Sequence, residues 1–126
     1  MAKDYTIAYL LDLYGAALTE KQRILMECYY NDDLSLSEIS ENEGITRQGA
    51  RDGIKRAESQ LKDWEARLGL LKKARLQNKT AGDICAAARQ AADLAAAGAE
   101  DLAICRYMQD ICELAEQLMT ELPAES

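Results

Sequence analysis

The stretch that decides the fold is LSEISENEGITRQGARDGIKR, residues 36–56. Its first part predicts a short helix in which Leu36 and Ile39 point inward and Ser37 can act as the N-cap. Gly44 ends this helix, because glycine readily adopts the left-handed conformation that a helix terminus requires. A second helix follows at once, so the stretch predicts a helix-turn-helix unit.

The second helix of this unit is expected to run from Arg47 to about Leu68, with Thr46 as its N-cap and Ile45 as a core contact before it. Apolar residues recur along it at helical spacing and define one buried stripe: Ala50, Ile54, Ala57, Leu61, Trp64 and Leu68. Gly49 and Gly53 interrupt it, each at about 1 kcal/mol relative to alanine, so packing is expected to offset that cost.

Two further helices precede the unit. The first is expected over residues 5–18, and Gly15 can end it early. The second begins at a capping box, in which Thr19 and Gln22 satisfy each other's backbone groups, and the turn residues 31–33 end it. Its predicted buried face consists of Ile24, Leu25, Cys28 and Tyr29.

The last third of the chain predicts a helical hairpin. An alanine-rich helix over residues 83–97 and a long helix over residues 100–122 are separated by a break at Gly98, and such a short connection favours antiparallel neighbours. The predicted fold is therefore all-α, with a helix-turn-helix domain, a polar basic connector that can stay helical, and a C-terminal helical hairpin, at residues 1–71, 72–80 and 81–126.

The long helix carries an apolar face too wide for one alanine-rich partner: Ile104, Cys105, Met108, Ile111, Cys112, Leu118 and Met119. Exposing it to water would forfeit several kcal/mol, at about 25 cal/mol per Å². Two coverings are open: the hairpin folds back on the helix-turn-helix core, or it meets the same hairpin of a second chain. A homodimer is favoured, because residues 72–80 can form an extended spacer.

The composition argues against an enzyme and against a metal or cofactor protein. The chain has no histidine, which is the commonest general base and metal ligand. Its cysteines lack the spacing of a zinc site and are predicted to be small buried hydrophobes: Cys28, Cys85, Cys105 and Cys112. The N-terminus does not read as a signal peptide, and no apolar run approaches the length of a membrane span, so a cytoplasmic location without membrane contact is expected.

The basic residues cluster around the predicted second helix of the unit. Residues 45–75 carry nine basic and four acidic side chains, whereas residues 77–126 carry three basic and nine acidic ones. Such a helix presents its first turns outward, so Arg47, Gln48 and Arg51, behind the cap Thr46, are candidates for base-edge contacts. Candidates for phosphate contacts are Lys55, Arg56 and Lys62. The alternative is a helix-turn-helix kept for packing, with solvated basic residues.

Three runs together give the chain a specific resemblance: LTEKQR at 18–23, DDLSLSEI at 32–39 and TRQGARDGIKR at 46–56. About residues 5–72 resemble the YlxM family, small bacterial proteins to which DNA binding is attributed and which are commonly encoded beside the GTPase subunit of the signal recognition particle. The resemblance implies a helix-turn-helix similar to the promoter-reading region four of sigma factors. Asp52 and Glu43 depart from that pattern.

The resemblance also implies the partners. One implied role is an adaptor of the signal recognition particle pathway that contacts the particle's RNA or its GTPase subunit. The other is a transcription regulator that docks its recognition helix, residues 47–68, in duplex DNA.

Overall fold

The computed structural model describes residues 2–98 and 100–120, with the side chains of residues 119 and 120 left out. All regular secondary structure in these residues is helical. The chain divides into two compact units, Met1–Leu71 and Lys72–Ser126. A 3-10 turn over Gly15–Ala17 accompanies six α-helices: α1 Tyr5–Tyr14, α2 Glu20–Tyr30, α3 Leu36–Glu43, α4 Arg47–Leu68, α5 Leu70–Ala96 and α6 Asp101–Thr120. The all-α prediction is confirmed. No helix in the described part of the chain is long and apolar enough to cross a membrane.

Local caps set the starts of α2, α3 and α4. The capping box at Thr19 is present, and Thr46 caps α4 by accepting a hydrogen bond from the Gly49 N–H at 2.9 Å. The predicted cap of α3 is wrong: Ser35, not Ser37, accepts a hydrogen bond from the Glu38 N–H, at 3.1 Å. The N-cap hydroxyl accepts from the N–H of the third helical residue, and a cap two residues earlier than predicted brings Leu36 inside the helix.

The core of the first unit is built around α4, against which α1, α2 and α3 each pack. Its largest fully buried side chains are Ile7, Met26, Ile39, Ile54 and Leu61. On α2 the buried face is rotated from the predicted one: Leu25, Met26 and Tyr29 are buried, whereas Ile24 and Cys28 are half-buried. Trp64 packs at the margin of this core, with its ring centroid 6.3 Å from that of Tyr14.

Two predicted core contacts are wrong, and both lie where a helix ends. Ile45 is 40% exposed, because it sits in the turn between the left-handed Gly44 and the cap of α4. Leu68 is 63% exposed, because α4 ends there and Gly69 turns the chain with a φ of 64°. Helical periodicity predicts on which face of a helix a residue lies. It does not predict where the helices that cover that face end.

A small polar network fixes the junction of α4 and α5 within the first unit. The Tyr14 hydroxyl donates to Glu65 Oε2 at 2.8 Å and accepts from the Leu70 N–H at 3.0 Å. The same Glu65 oxygen accepts from the Leu71 N–H at 3.0 Å, so this carboxylate caps the start of α5. Burial and the hydrogen bond to Glu65 raise the pKa of Tyr14. The predicted connector over residues 72–80 stays helical, as the sequence allowed, and it forms part of α5 instead of an extended spacer.

The second unit contains the rest of α5 and α6. Ala87 and Ala91 are buried, and α6 contributes half-buried residues at helical spacing: Ile104, Tyr107, Ile111, Leu114 and Leu118. Met108 is 55% exposed. The cysteine prediction is wrong for Cys85, Cys105 and Cys112, which are exposed and free, because a hairpin buries only the facing side of each helix. The predicted apolar position Met119 lies outside the described side chains, and the predicted helix end at residue 122 lies outside the described residues.

Candidate nucleic-acid interface

The turn between α3 and α4 presents the first turns of α4 to solvent. Gly44 adopts a φ of 66°, and the Ile45 N–H donates to the Ser40 carbonyl at 3.1 Å, which closes the end of α3. The cap at Thr46 then starts α4 in a new direction. Residues 46–49 are all exposed, and Ala50 is the first buried residue of α4. The start of α4 is therefore available to a ligand.

The residues predicted to contact nucleic acid are all exposed: Thr46, Arg47, Gln48, Arg51, Lys55, Arg56 and Lys62. Gln48, Arg51 and Lys55 are spaced three and four apart, so they share one face of α4, and Lys62 continues that face two turns later. Arg56 points about 100° away from Lys55. These two cations line an open groove beside Gln22 of α2. We call the face that carries Gln48, Arg51 and Lys55 the basic face.

An acidic side chain lies within the basic face. The Gln48 Nε2 donates to Asp52 Oδ1 at 3.0 Å, one helical turn along α4. This bond occupies the amide group that would otherwise donate to an adenine, and the carboxylate repels phosphate at close range. A ligand must therefore displace or share this pair before Gln48 can contact a base.

A buried carboxylate below the basic face holds Lys55 and joins α4 to α2. The Tyr30 hydroxyl donates to Glu58 Oε1 at 2.6 Å, and Lys55 Nζ lies 3.7 Å from Glu58 Oε2. Burial, and then the hydrogen bond to Glu58, raise the pKa of Tyr30. Sequence reasoning missed Glu58, although its position four residues after Ile54 and three before Leu61 places it on the core side of the helix.

The two glycines of α4 have structural explanations. A Cβ at position 53 would lie 2.6 Å from Leu25 Cδ1, so this glycine permits the close approach of α2 to α4. A Cβ at Gly49 would lie 3.0 Å from the Thr46 Oγ1 that caps the helix. Close packing at both positions therefore explains why glycine stands there in spite of its low helix propensity.

The described residues hold no group of three cysteine and acidic side chains able to bind a metal ion. The half-buried Cys28 is the only cysteine in the first unit, and burial, followed by the charge of Asp32, raises the pKa of its thiol. A raised pKa lowers the fraction of reactive thiolate. The exposed side chains of the interface themselves offer cationic, amide and hydroxyl hydrogen-bond donors.

Comparison with known proteins agrees with this geometry. Residues 1–99 match the model of the UPF0122 family, described as "Putative helix-turn-helix protein, YlxM / p13 like". The chain belongs to this family. The UPF0122 membership confirms the resemblance seen in the sequence, and the description is that of a helix-turn-helix family and not of an enzyme family.

Similar UPF0122 proteins come from several bacteria. A UPF0122 protein of Clostridium botulinum is 49% identical over 73 residues, which cover 58% of this chain and 67% of the relative. One from Caldanaerobacter subterraneus is 53% identical over 74 residues, covering 58% of this chain and 63% of the relative. One from Limosilactobacillus reuteri is 45% identical over 82 residues, covering 65% and 73%. The chain thus spans about two thirds of the length of these relatives.

Proposed function

We propose that this protein is a regulatory or adaptor protein that binds nucleic acid through its helix-turn-helix, and that it has no catalytic role. One observation carries the proposal: Arg47 and Arg51 are exposed at the outward start of α4, and neither makes a side-chain hydrogen bond or ion pair with the described residues. Arginine in that position can bind a guanine edge or a phosphate through two parallel hydrogen bonds. Two unpaired guanidinium groups beside each other favour an anionic ligand.

The partner that we propose is the signal recognition particle, through its RNA, its GTPase subunit or both, in the cytoplasm. Support comes from the resemblance to the YlxM family and from the family membership. The alternative is a transcription regulator that inserts residues 47–68 into duplex DNA, which the similarity to sigma region four favours. Asp52 weighs against readout of duplex DNA, because it lies among the residues that would face the bases.

Fluorescence anisotropy with the full chain tests the proposal. Fluorescently labelled duplex DNA and signal recognition particle RNA are titrated over a range of salt concentrations, because phosphate-driven binding weakens steeply as salt rises. Arg47→Ala should cost about 1–3 kcal/mol at a base-edge contact, whereas Lys55→Ala should weaken all sequences alike. Arg23→Ala on α2, an exposed arginine 3.9 Å from Glu27, is the matched control. Absence of binding to both ligands at low salt would refute the nucleic-acid role and leave the unit a packing or protein-binding module.

We also propose that the hairpin, residues 81–126, is a homodimerisation arm joined to the helix-turn-helix domain, residues 1–71, by the helical segment 72–80. The exposed residues Cys105, Met108 and Cys112 lie on one face of α6, at spacings of three and four, and line one shallow surface. The 20 residues of α6 give a length of about 30 Å, and two helices give a width of about 20 Å. Covering one side buries about 600 Å² per protomer, which meets the lower end of stable interfaces.

Sedimentation velocity of the full chain at micromolar concentration tests the dimer. Met108→Glu should convert it to a monomer, because the surface already carries Glu113 and Glu116 and a third carboxylate would have to be buried in place of the apolar side chain. Ala103→Glu is the control, since Ala103 is exposed, lies on another face of α6 and is not among the residues that line the surface at Met108. A wild-type chain that sediments as a monomer would refute the dimer. The alternative would then be that the chain itself covers this face of α6.

A further inference from the structure

A small cavity lies between α2 and the turn that joins α3 to α4. Leu25 and Ile45 form its apolar walls, and Lys21 and Glu43 complete its lining. These residues belong to the first unit, and none of them is among the residues assigned above to contact with nucleic acid. We call this feature the turn cavity. Its volume is about 170 Å³.

The volume of the turn cavity limits what it can hold. An apolar cavity of about 150 Å³ binds one benzene molecule, so a volume of about 170 Å³ accommodates one side chain of the size of leucine or methionine. Sites for cofactors and drug-sized ligands are larger, at about 300–1,000 Å³. The turn cavity therefore fits a single anchor side chain, of the kind that fills a pocket at the centre of a protein–protein interface.

The walls of the turn cavity are apolar, and one of them is fixed by the core. Leu25 is buried, and it lies so close to α4 that a Cβ at Gly53 would be 2.6 Å from its Cδ1. Ile45 is 40% exposed, so apolar surface meets water in the turn. Neither wall offers a hydrogen bond to a phosphate. An aliphatic side chain in the cavity would cover Ile45 and remove this apolar surface from water.

The two charged residues of the turn cavity carry opposite charges. Lys21 and Glu43 are both exposed, and neither side chain makes a hydrogen bond or an ion pair with a described residue. A nucleic acid would gain from Lys21 but would be repelled by Glu43. A polypeptide can carry a carboxylate and an ammonium group on either side of one aliphatic side chain. Such a segment complements both charges and the apolar walls together.

We propose that the turn cavity is a docking site for a partner protein, which inserts one aliphatic side chain between Leu25 and Ile45. The partner's segment carries an acidic side chain that reaches Lys21 and a basic side chain that reaches Glu43. This inference goes beyond the proposed nucleic-acid binding and does not depend on it. Because Ile45 directly precedes Thr46, the docked segment would lie next to the start of α4.

Nuclear magnetic resonance of the isotope-labelled full chain tests the inference with capped tripeptides as probes. Two of them carry leucine between glutamate and lysine, one in each order, and a third carries serine in place of leucine. Titration to about 10 mM detects dissociation constants in the millimolar range. At least one leucine tripeptide should shift the amide signals of Leu25 and Ile45 until they saturate, and the serine tripeptide should not. No saturable shift with either leucine tripeptide, or equal binding of the serine tripeptide, would overturn the inference.

Ile45→Ser and Leu13→Ser form a matched pair of variants, because both residues are 40% exposed and only Ile45 lines the turn cavity. Ile45→Ser should weaken binding of the leucine tripeptides at least about fivefold, since it removes one apolar wall. Leu13→Ser should bind them as the wild type does, and circular dichroism verifies that both variants retain their helix content. Equal binding by the two variants contradicts the inference.

A third variant, Lys21→Glu, tests the charges and leaves the walls intact. It makes both charged residues of the turn cavity acidic, so a tripeptide with leucine between two lysines should become the tightest probe. A variant that keeps the wild-type order of preference among the probes would show that the two charges do not select the partner, and the inference would fail.

Other occupants of the turn cavity give different results. If free L-leucine binds as tightly as the tripeptides, the cavity binds an amino acid, and the inference of a partner protein is overturned. If Ile45→Ser but not Leu13→Ser lowers the sedimentation coefficient of the full chain, a second copy occupies the cavity, which also overturns it. The anisotropy titration with Arg47→Ala is independent of these outcomes, so the docking site can fail while the nucleic-acid contact stands.

Discussion

Removing the Tyr30 hydroxyl is the most direct test of how α2 supports the candidate interface. The perturbation is Tyr30→Phe, which deletes the hydrogen bond to Glu58 Oε1 and leaves the ring in place. Glu58 is 7% exposed, so it loses a donor that water can only partly replace. Lys55, at 3.7 Å from the other carboxylate oxygen, becomes its remaining described partner.

The magnitude follows from the chemistry of this bond. A hydrogen bond to a charged group contributes about 1.5–3 kcal/mol, and removing one partner of a buried acceptor costs at least as much. Because Tyr30 is half-buried, we expect the lower part of that range, about 1.5–2 kcal/mol of unfolding free energy. The Lys55 pair contributes little to this value, since it is long and its ammonium is half-exposed.

The same bond predicts a pH dependence. The pKa of Tyr30 is raised in the folded chain by burial and by Glu58, so the phenol stays neutral where an unfolded chain would ionise it. Its contribution is complete below pH 10, the ordinary tyrosine value, and is lost as the pH rises further. The stability difference between wild type and Tyr30→Phe should therefore shrink above pH 10, by up to about 1.4 kcal/mol per pH unit.

Urea unfolding followed by circular dichroism measures both effects. The matched control is Tyr9→Phe, because Tyr9 is 59% exposed and its hydroxyl has no partner among the described residues. The control should change the unfolding free energy by less than about 0.5 kcal/mol. A Tyr30→Phe variant as stable as this control, or one with an unchanged alkaline profile, would refute the reasoning.

Two further outcomes test packing and surface charge. Gly82→Ala should stabilise α5 by about 1 kcal/mol in thermal unfolding, since a Cβ there meets nothing within 4 Å. Gly53→Ala has the same propensity gain but places its Cβ 2.6 Å from Leu25 Cδ1, so it should be about 1–3 kcal/mol less favourable than Gly82→Ala. The hydrogen bond from Lys3 lowers the pKa of Asp33, so stability that this carboxylate contributes above about pH 4 is lost on acidification. Asp33→Asn should flatten that part of an acid unfolding curve.

The boundaries of the helix-turn-helix could be predicted from sequence because caps are local. Thr19, Gly44 and Thr46 each complete a hydrogen bond within a few residues, so the nearby sequence contains the information needed. The start of α3 is harder to predict from sequence, because Ser35 and Ser37 both offer a hydroxyl that could cap the helix. The position of Leu36 against the core distinguishes them, and that is a property of the tertiary fold.

The burial predictions that failed at Leu68, Cys105 and Cys112 required knowledge of where a partner surface ends. Periodicity placed Leu68 on the correct face, but α4 extends beyond the helices that cover that face. Cys105 and Cys112 are also wrong, because both side chains are exposed although they lie on an apolar helix. Glu58 is the opposite case, because its burial was not predicted. A charged residue at a core-facing position is recognised as buried only when a hydrogen-bond donor such as Tyr30 is known to reach it.

The candidate interface shows why net charge is a poor guide to what this protein binds. The chain carries a charge of -7, yet at physiological salt charges separated by more than about 8 Å are largely screened. The 22 residues of α4 extend over about 33 Å, so each part of the helix acts mainly through its own neighbours. The acidic groups that oppose phosphate binding most strongly are therefore Asp52, which is within the basic face, and Glu58, which holds Lys55. Affinity for a polyanion depends on how these two carboxylates are paired, and both have described partners on the chain itself.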